Sequence, residues 1–366
     1  MLDKKYRDEA LQINKQDLST LPRTVGWESP SNIALVKYWG KKGIQEPINP
    51  SFSMTLSNMH TQTRIHYARA RNDHGRMWLR FNGTDNHPFG QRIQKYLEAL
   101  DSYFPFLKDL DLHIETRNSF PHSAGMASSA SALSSLALAL CSIEQGLRDE
   151  PLNPEHFFQK ASYMARLGSG SAARSVYGHY VEWGQHAYGS DEFAYPYAGK
   201  IEEPLSFLHD SVLITSSEPK KIKSSAGHQL MDNHPYRQVR IEQALSNMEK
   251  ISRSLKDGDF QSFSEVAEEE ALSLHAMMLS SKPGYALLKE ATIEIIDELR
   301  SFRQQTGARL TFTLDAGPNV HVLYPTQEKE QIREWIHRKL EPLCEDGKMI
   351  HDFTGTGPER LHNGES

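Results

Sequence analysis

The chain has 366 residues, which is long for a single hydrophobic core and suits two domains. Apolar residues make up 38% and charged residues 24%, the ordinary balance of a soluble globular protein. The formal net charge of −6 argues against a general binder of nucleic acids, because such proteins usually carry a basic face. The cysteines, Cys141 and Cys344, cannot form a disulfide framework, and neither has metal-ligand spacing.

The N-terminus contains no pattern that predicts export or membrane insertion. Residues 1–22 are polar and charged, and we interpret them as an extension without the apolar stretch of a signal peptide. The longest apolar run, residues 136–141, is too short to cross a bilayer. We therefore expect a cytoplasmic protein that has no membrane partner.

Extended segments precede a set of helices in the first part of the chain. Strand-like patterns occur at residues 23–39, 51–58, 63–70 and 110–120. The stretch 128–146 is rich in Ala, Leu and Ser, and it predicts a helix with a wide buried face that stops at Gly146. Helical patterns return at 154–166 and 171–177, and residues 177–183 again resemble a strand.

Residues 189–205 are irregular and contain two prolines, so we place a domain boundary there. The following part predicts strands at 211–217, 308–314 and 320–325 and helices at 235–256, 284–305 and 327–341. We see no regular alternation of strand and helix, so an α+β protein fits better than a doubly wound one. The predicted units are an N-terminal domain (23–205), a C-terminal domain (206–350) and a tail (351–366).

Two loops of glycine and small hydroxyl residues are candidates for binding phosphate. The first, residues 120–130, runs from a strand into a helix, where free N–H groups and a partial positive charge attract anions. Ser128 and Ser129 could add hydroxyl donors or a magnesium ligand, or could simply cap the helix. The second loop, residues 168–174, ends at Arg174, which could turn toward the same anion or lie on the surface.

A carboxylate and a lysine complete the candidate site. Asp315 follows an apolar strand, where a rigidly held carboxylate could act as a general base, although Asp-Ala-Gly-Pro-Asn is also good turn chemistry. Lys37 lies between an apolar run and two aromatic residues, in a basic cluster with Lys41 and Lys42. Because a buried lysine without an anionic partner is costly, we expect an anion near Lys37.

These loops, in this order, together with residues 32–41, resemble the diphosphomevalonate decarboxylase family. The resemblance also includes residues 50–56, 224–230, 273–281 and 312–319, and it extends over residues 24 to 345. That family belongs to the superfamily of galactose, homoserine, mevalonate and phosphomevalonate kinases. The resemblance implies an N-terminal domain like the second domain of a ribosomal small-subunit protein and a ferredoxin-like C-terminal domain.

The resemblance also implies a reaction and a set of site residues. The substrates are ATP, used with Mg²⁺, and mevalonate 5-diphosphate, and the products are isopentenyl diphosphate, ADP, phosphate and carbon dioxide. Asp315 matches the base toward the 3-hydroxyl, Arg174 the residue that holds the carboxylate, and Lys37 the lysine near the transferring phosphate. The other matched positions are Tyr38, Lys41, Ser169, Ser171 and Ser224 for the substrate, and Ser123, Gly125, Ala127, Ser128 and Ser129 for the nucleotide, with Ser129 a candidate magnesium ligand. A homodimer is expected on the same ground.

Several positions differ from the usual pattern of the family. Pro50 stands where the family commonly has serine, and the phosphate loop carries Ser123 and Met126 as conservative changes. Ser225 replaces a Thr or Arg, and His228 replaces a Met, beside the expected substrate pocket. These last two changes leave the phosphorylation state of the substrate open.

Four other functions are weighed against this prediction. The nearest is a decarboxylase of mevalonate monophosphate, which the basic cluster at Lys37 mildly disfavours. A kinase of the same superfamily usually has an aspartate in the second loop, whereas residues 168–175 contain no acid. A Ser-His-Asp hydrolase lacks a Gly-x-Ser-x-Gly motif here. A non-catalytic ligand binder is disfavoured by the presence of Lys37, Arg174 and Asp315 together.

Overall fold

The computed structural model describes residues 2–11, 13, 23–71, 75–85, 87–120, 128–186, 189–218, 222 and 224–362. The strands are β1 (Arg23–Val36), β2 (Lys41–Lys42), β3 (Glu46–Pro47), β4 (Ser51–Arg69), β5 (Met77–Phe81), β6 (Thr84–Asp85), β7 (Leu110–Asn118), β8 (Tyr180–Trp183), β9 (Ala194–Pro196), β10 (Leu208–Leu213), β11 (Thr311–Leu314), β12 (Val320–Pro325), β13 (Met349–Phe353) and β14 (Glu359–Arg360). The helices are α1 (Leu2–Ala10), α2 (His87–Ala99), α3 (Ser128–Gly146), α4 (Pro154–Gly168), α5 (Ser224–Gln229), α6 (Arg237–Asp257), α7 (Phe260–Ser280), α8 (Glu290–Thr306) and α9 (Lys329–Lys339).

The first sheet has the strand order β14-β1-β4-β7-β5-β6, and β8 and β9 continue from β4. Its pairs are antiparallel except for β5 and β7, which run parallel. Helices α3 and α4 cover one face. A core of apolar side chains, among them Ile65, Leu136 and Met164, fills the space between sheet and helices.

Helix α3 packs closely on β1 and β4 because most of its inner side chains are small. Its serines after the first turn are buried, and a buried hydroxyl needs a hydrogen-bond partner. The strands supply one to each: Ser131 lies 2.7 Å from the Thr61 hydroxyl, and Ser135 lies 2.7 Å from that of Thr63. The Ser, Ala and Leu pattern of 128–146 therefore gives α3 a surface whose serine hydroxyls face threonine hydroxyls of the sheet.

The second sheet, β11-β12-β10-β13, is antiparallel and is covered by α7, α8 and α9. One apolar cluster joins it to the first sheet, since Leu35 and Phe52 of β1 and β4 pack with Met248 of α6 and Phe263 of α7. The long strands β1 and β4 thus reach into both parts of the molecule. The chain that leaves β1 at Val36 enters the space where the two parts meet.

The prediction of an α+β fold is confirmed. The predicted helix 128–146 agrees with α3, and the two strand-like pieces at 51–58 and 63–70 are one strand, β4, of 19 residues. Helices α2 and α7 and strand β5 were not predicted. Among the described residues, no helix combines the length and apolar character needed to cross a membrane.

Both ends of the chain are more structured than the sequence suggests. Residues 2–10 of the predicted extension form α1, whose Tyr6 is fully buried and packs edge-on against Tyr163 at 5.1 Å. The predicted tail at 351–366 contains the end of β13, which pairs with β10, and β14, which pairs with β1. The structure of these segments is not visible in the sequence because their partners lie far away along the chain.

The second sheet contains a histidine that makes stability depend on pH. Burial, together with the positive charges of Arg333 and His337, lowers the pKa of His351 to about 4. The unfolded chain keeps the ordinary pKa of 6.5, so this histidine binds a proton at a higher pH in the unfolded chain than in the folded protein. Its contribution to the free energy of unfolding is therefore fully present above pH 6.5 and is lost as the pH falls toward 4.

We expect the His351→Asn variant to lose less stability between pH 7 and pH 4.5 than the parent protein does. Thermal unfolding midpoints measured across this range would test this expectation, with exposed His362→Asn as the matched control. Equal slopes in the parent and in His351→Asn would contradict it.

Candidate active site

The centre of the candidate site is an ion pair between Lys37 and Asp315. A bulge in the pairing of β1 with β4 lies between Ala34 and Val36. Lys37 Nζ donates to the Ala34 carbonyl at 2.5 Å and lies 3.3 Å from Asp315 Oδ1. The lysine side chain is 2% exposed and the aspartate 28%, so the carboxylate is partly open to solvent while the ammonium is buried.

The burial of Lys37 has electrostatic consequences. Loss of hydration lowers the pKa of Lys37, and the negative charge of Asp315 acts against this effect. The negative charge of Asp315 therefore stabilises the protonated form of Lys37, which burial disfavours. The backbone around Asp315 is also held, because its carbonyl oxygen accepts from Gly317 N at 2.7 Å and lies 3.0 Å from His275 Nε2.

A second buried carboxylate holds the backbone of Lys37. Glu270 of α7 is fully buried, and its Oε2 accepts from the Lys37 N–H at 2.8 Å. Both of its oxygens accept from the Arg240 guanidinium, with 2.9 Å at Nη1, and Asn247 Nδ2 donates to Oε1 at 2.8 Å. Arg240 Nη2 also donates to the Lys37 carbonyl at 3.3 Å. Helices α6 and α7 thus fix the start of the lysine side chain.

Replacing Glu270 by glutamine is expected to destabilise the protein by about 3–5 kcal/mol, because the change leaves the buried Arg240 guanidinium without its carboxylate. Chemical denaturation would measure the loss in the free energy of unfolding. The neighbouring Glu269 is exposed, and Glu269→Gln is the matched control, for which we expect a change within about 0.5 kcal/mol. Equal stability of the two variants would contradict the role given to Glu270.

Arg174 is a buried cation on the other side of the site. It lies in the 3₁₀ helix Gly170–Val176 and is 3% exposed. Its Nε donates to Asn32 Oδ1 at 3.1 Å, and its Nη1 donates to Ser51 Oγ at 2.9 Å. No carboxylate of the described residues forms an ion pair with it. Burial lowers the pKa of Arg174 to about 10, and the negative charge of Asp315 opposes this effect. Because the partners Asn32 and Ser51 are neutral, the guanidinium is suited to bind an added anion.

Tyr38 and Lys41 follow Lys37 in the chain and extend the candidate site. The Tyr38 ring lies 4.7 Å from the Trp183 ring, and its hydroxyl donates to the Gln45 carbonyl at 3.3 Å. Lys41 Nζ donates to Gln45 Oε1 at 2.5 Å. Burial and the nearby Arg92 charge lower the pKa of Lys41. Two cations in proximity favour a bound anion between them.

The predicted serines occupy three different positions. Ser169 ends α4, and its hydroxyl lies 3.3 Å from that of Ser129 at the start of α3, so the two glycine and serine loops meet. The carbonyl of Ser171 accepts from Asn32 Nδ2 at 3.3 Å. Ser224 is exposed at the first position of the short helix α5.

The predicted nucleotide site is described only in part. Ser128 and Ser129 lie in the first turn of α3, half-buried, where backbone N–H groups are free to bind an anion. Ser123, Gly125 and Ala127 lie outside the described residues. In the part of the chain that the structure describes, no group of three or more His, Cys, Asp or Glu side chains could hold a metal ion.

Sequence reasoning assigned no role to several residues that shape the site, among them Asn32, Ser51, Trp183 and Glu270. Asn32 and Ser51 stand in the segments that carry the family resemblance, which was an available signal. Pro50 is joined to the site through its neighbour Asn49. The Nδ2 of Asn49 donates to the Pro50 carbonyl oxygen at 2.7 Å and to the Lys37 carbonyl oxygen at 2.9 Å.

Comparisons with known proteins find similarity over both halves of the chain. A family model described as diphosphomevalonate decarboxylase-like N-terminal domain matches residues 29–194, and one described as mevalonate 5-diphosphate decarboxylase C-terminal domain matches residues 211–360. A diphosphomevalonate decarboxylase of Ganoderma lucidum is 30% identical over 331 residues, which are 84% of this chain and 80% of that protein.

Solved structures give the same result. The crystal structure of mevalonate diphosphate decarboxylase from Staphylococcus aureus superposes with a TM-score of 0.78 at 28% identity, over 94% of this chain and 100% of that chain. A structure of MDDEF in complex with MVAPP, AMPPCP and magnesium has a TM-score of 0.77 at 26% identity, over 93% of this chain and 99% of that chain.

Proposed function

The chain belongs to the diphosphomevalonate decarboxylase family, and we propose that it converts mevalonate 5-diphosphate and ATP into isopentenyl diphosphate, ADP, phosphate and carbon dioxide. The observation that carries this proposal is the arrangement of a carboxylate paired with a buried lysine, Asp315 and Lys37, near a buried arginine, Arg174. A base, a cation for the transferring phosphoryl group and a cation for the substrate carboxylate are the groups that this reaction needs.

In the first step, the 3-hydroxyl oxygen of the acid attacks the γ-phosphorus of ATP, and ADP leaves with the bonding electrons. Asp315 accepts the hydroxyl proton, which a tertiary alcohol gives up reluctantly. Lys37 neutralises charge on the transferring group and, at 3.3 Å from Oδ1, holds the Asp315 carboxylate in place. Bound Mg²⁺ supplies charge neutralisation along the nucleotide phosphates, and Ser129 is the described side chain proposed to help hold it.

In the second step, the bond between C3 and the phosphorylated oxygen breaks, and phosphate leaves with its electron pair. The electrons of the bond between C1 and C2 then form the C2=C3 double bond, and carbon dioxide departs. Arg174 orients the carboxylate through a guanidinium that Asn32 and Ser51 hold at two of its nitrogens. Lys41, with Tyr38 beside it, binds the diphosphate. Ser169, Ser171 and Ser224 border the substrate.

Three related acids test the proposal. The purified protein is mixed with ATP, magnesium and either mevalonate, its 5-phosphate or its 5-diphosphate, and the release of ADP and carbon dioxide is measured together. We expect coupled release with the 5-diphosphate. Coupled release with the 5-phosphate alone would show that the substrate is the monophosphate. Release of ADP without carbon dioxide would show that the protein is a kinase. Gel filtration would test the predicted homodimer.

A further inference from the structure

We propose that His228 is a substrate-positioning residue, whose Nε2–H donates a hydrogen bond to the phosphoryl end of the bound acid beside Lys41. This inference rests on the proposed function, and it assigns a role to a side chain that stands where the family usually has methionine. The argument depends on the surroundings of the His228 ring, on its tautomer and on the charges near it.

The ring of His228 is held in one orientation. It lies between two aromatic rings, with its centroid 4.5 Å from that of Tyr38 and 4.6 Å from that of Trp39. The helix that carries it, α5, approaches Trp39 closely: a Cβ added at Gly227 would lie 2.7 Å from the Trp39 ring. His228 is 6% exposed, so most of the ring is enclosed by the protein.

The backbone fixes the tautomer of this ring. The Gly40 N–H donates to Nδ1 at 2.9 Å. A backbone N–H can only donate, so Nδ1 carries no proton and the imidazole is neutral, with its proton on Nε2. Gly40 is itself constrained, because it has a φ of +99° and a Cβ there would lie 2.3 Å from Ile48. Burial and the charges of Lys41 and Arg174 lower the pKa of His228 well below its ordinary value, which agrees with a neutral ring.

The remaining donor is placed for an anionic ligand. Within the described part of the chain, Nε2 forms no hydrogen bond, and it is the one ring nitrogen that keeps contact with solvent, where a ligand can reach it. Lys41 directly follows the glycine that holds Nδ1, and it is close enough to act on the pKa of the ring. Ser224 lies one helical turn earlier, on the same face of α5. A phosphoryl oxygen bound by Lys41 supplies the acceptor that Nε2–H lacks.

A neutral donor suits this position. A protonated imidazole between Tyr38 and Trp39 would be a buried cation close to two others, Lys41 and Arg174, at a large desolvation cost. The neutral tautomer adds a hydrogen bond to an anion without adding charge. It also joins α5 to the segment after β1, so that the donor and Lys37 are both positioned by the same stretch of backbone.

Two substitutions test the roles of Nδ1 and Nε2 separately. In His228→Asn the amide oxygen can take the place of Nδ1 and accept from Gly40, but the donor at Nε2 is lost. In His228→Gln the amide nitrogen can take the place of Nε2, but the acceptor for Gly40 is lost. Loss of a hydrogen bond to a charged group predicts about a 10- to 100-fold higher KM for mevalonate 5-diphosphate in His228→Asn, with kcat and the KM for ATP little changed. His228→Gln should stay near the parent KM.

The opposite ranking, or equal KM values in the two variants, would overturn the donor role. Calorimetric binding of mevalonate 5-diphosphate without nucleotide makes the test independent of turnover, and a weaker affinity of His228→Asn alone is expected. A parent protein that does not bind this acid would contradict the proposed function itself. A parent that binds it as tightly as His228→Asn does would contradict only the role of His228.

Discussion

Asp315→Asn is expected to lower kcat by about 10²- to 10⁴-fold, the range that a general base contributes. Asparagine keeps the shape of the side chain, so the turn after β11 and the contacts of its carbonyl oxygen with Gly317 and His275 should persist. It cannot accept the proton of the 3-hydroxyl, and it removes the negative charge that faces Lys37. Nucleotide affinity should stay close to that of the parent, because the role proposed for Asp315 is to accept a proton and not to bind the nucleotide.

Steady-state kinetics together with equilibrium binding of ATP would measure these two effects separately. Asp297 is exposed on α8, and Asp297→Asn is the matched control with the same chemical change. Turnover of Asp315→Asn within a few-fold of the control would remove this carboxylate from the mechanism. A thermal midpoint measured alongside would show that the variant is folded.

Arg174→Lys is expected to lower kcat/KM by about 30-fold or more, since losing one member of a buried, hydrogen-bonded charge pair costs about 2–5 kcal/mol. Lysine keeps the positive charge. It cannot hold both Asn32 Oδ1 and Ser51 Oγ while still presenting nitrogens to a carboxylate, as the planar guanidinium does. The loss should fall on both KM for the acid and kcat, because a carboxylate that is poorly oriented also leaves more slowly.

The exposed Arg253 of α6 provides the control Arg253→Lys, for which we expect parent kinetics. The KM for ATP should be unchanged in both variants. An Arg174→Lys variant with parent kcat/KM would show that charge alone is needed at this position. A variant that loses affinity for ATP and not for the acid would place Arg174 on the nucleotide side.

Much of the fold could be predicted because local patterns determine it. Residues 128–146 show a helical surface of small side chains, and α3 has these bounds in the structure. The alternation of apolar and polar residues at 110–120 predicted β7, of which every second residue is buried. In such segments periodicity and turn residues agree with the tertiary structure, so the sequence is sufficient.

The parts that could not be predicted depend on distant partners. Glu270 places a charge within the buried face of α7, and the charged partner that makes its burial possible, Arg240, lies 30 residues earlier. Strands β13 and β14 are short, and their pairing with β10 and β1 is not visible in their own residues.

In the site, Lys37, Arg174 and Asp315 could be named from loop chemistry and family resemblance. Their arrangement could not, because it depends on a contact between residues 278 positions apart.

The most direct test of the proposed reaction is its stoichiometry. In a reaction with ATP, magnesium and mevalonate 5-diphosphate carrying labelled carbon at C1, the amounts of ADP, inorganic phosphate and labelled carbon dioxide are measured as a function of time. The account predicts equal amounts of all three at every time after the first turnovers, and none in the absence of the acid. ADP formed without carbon dioxide, or carbon dioxide formed without ATP, would contradict it.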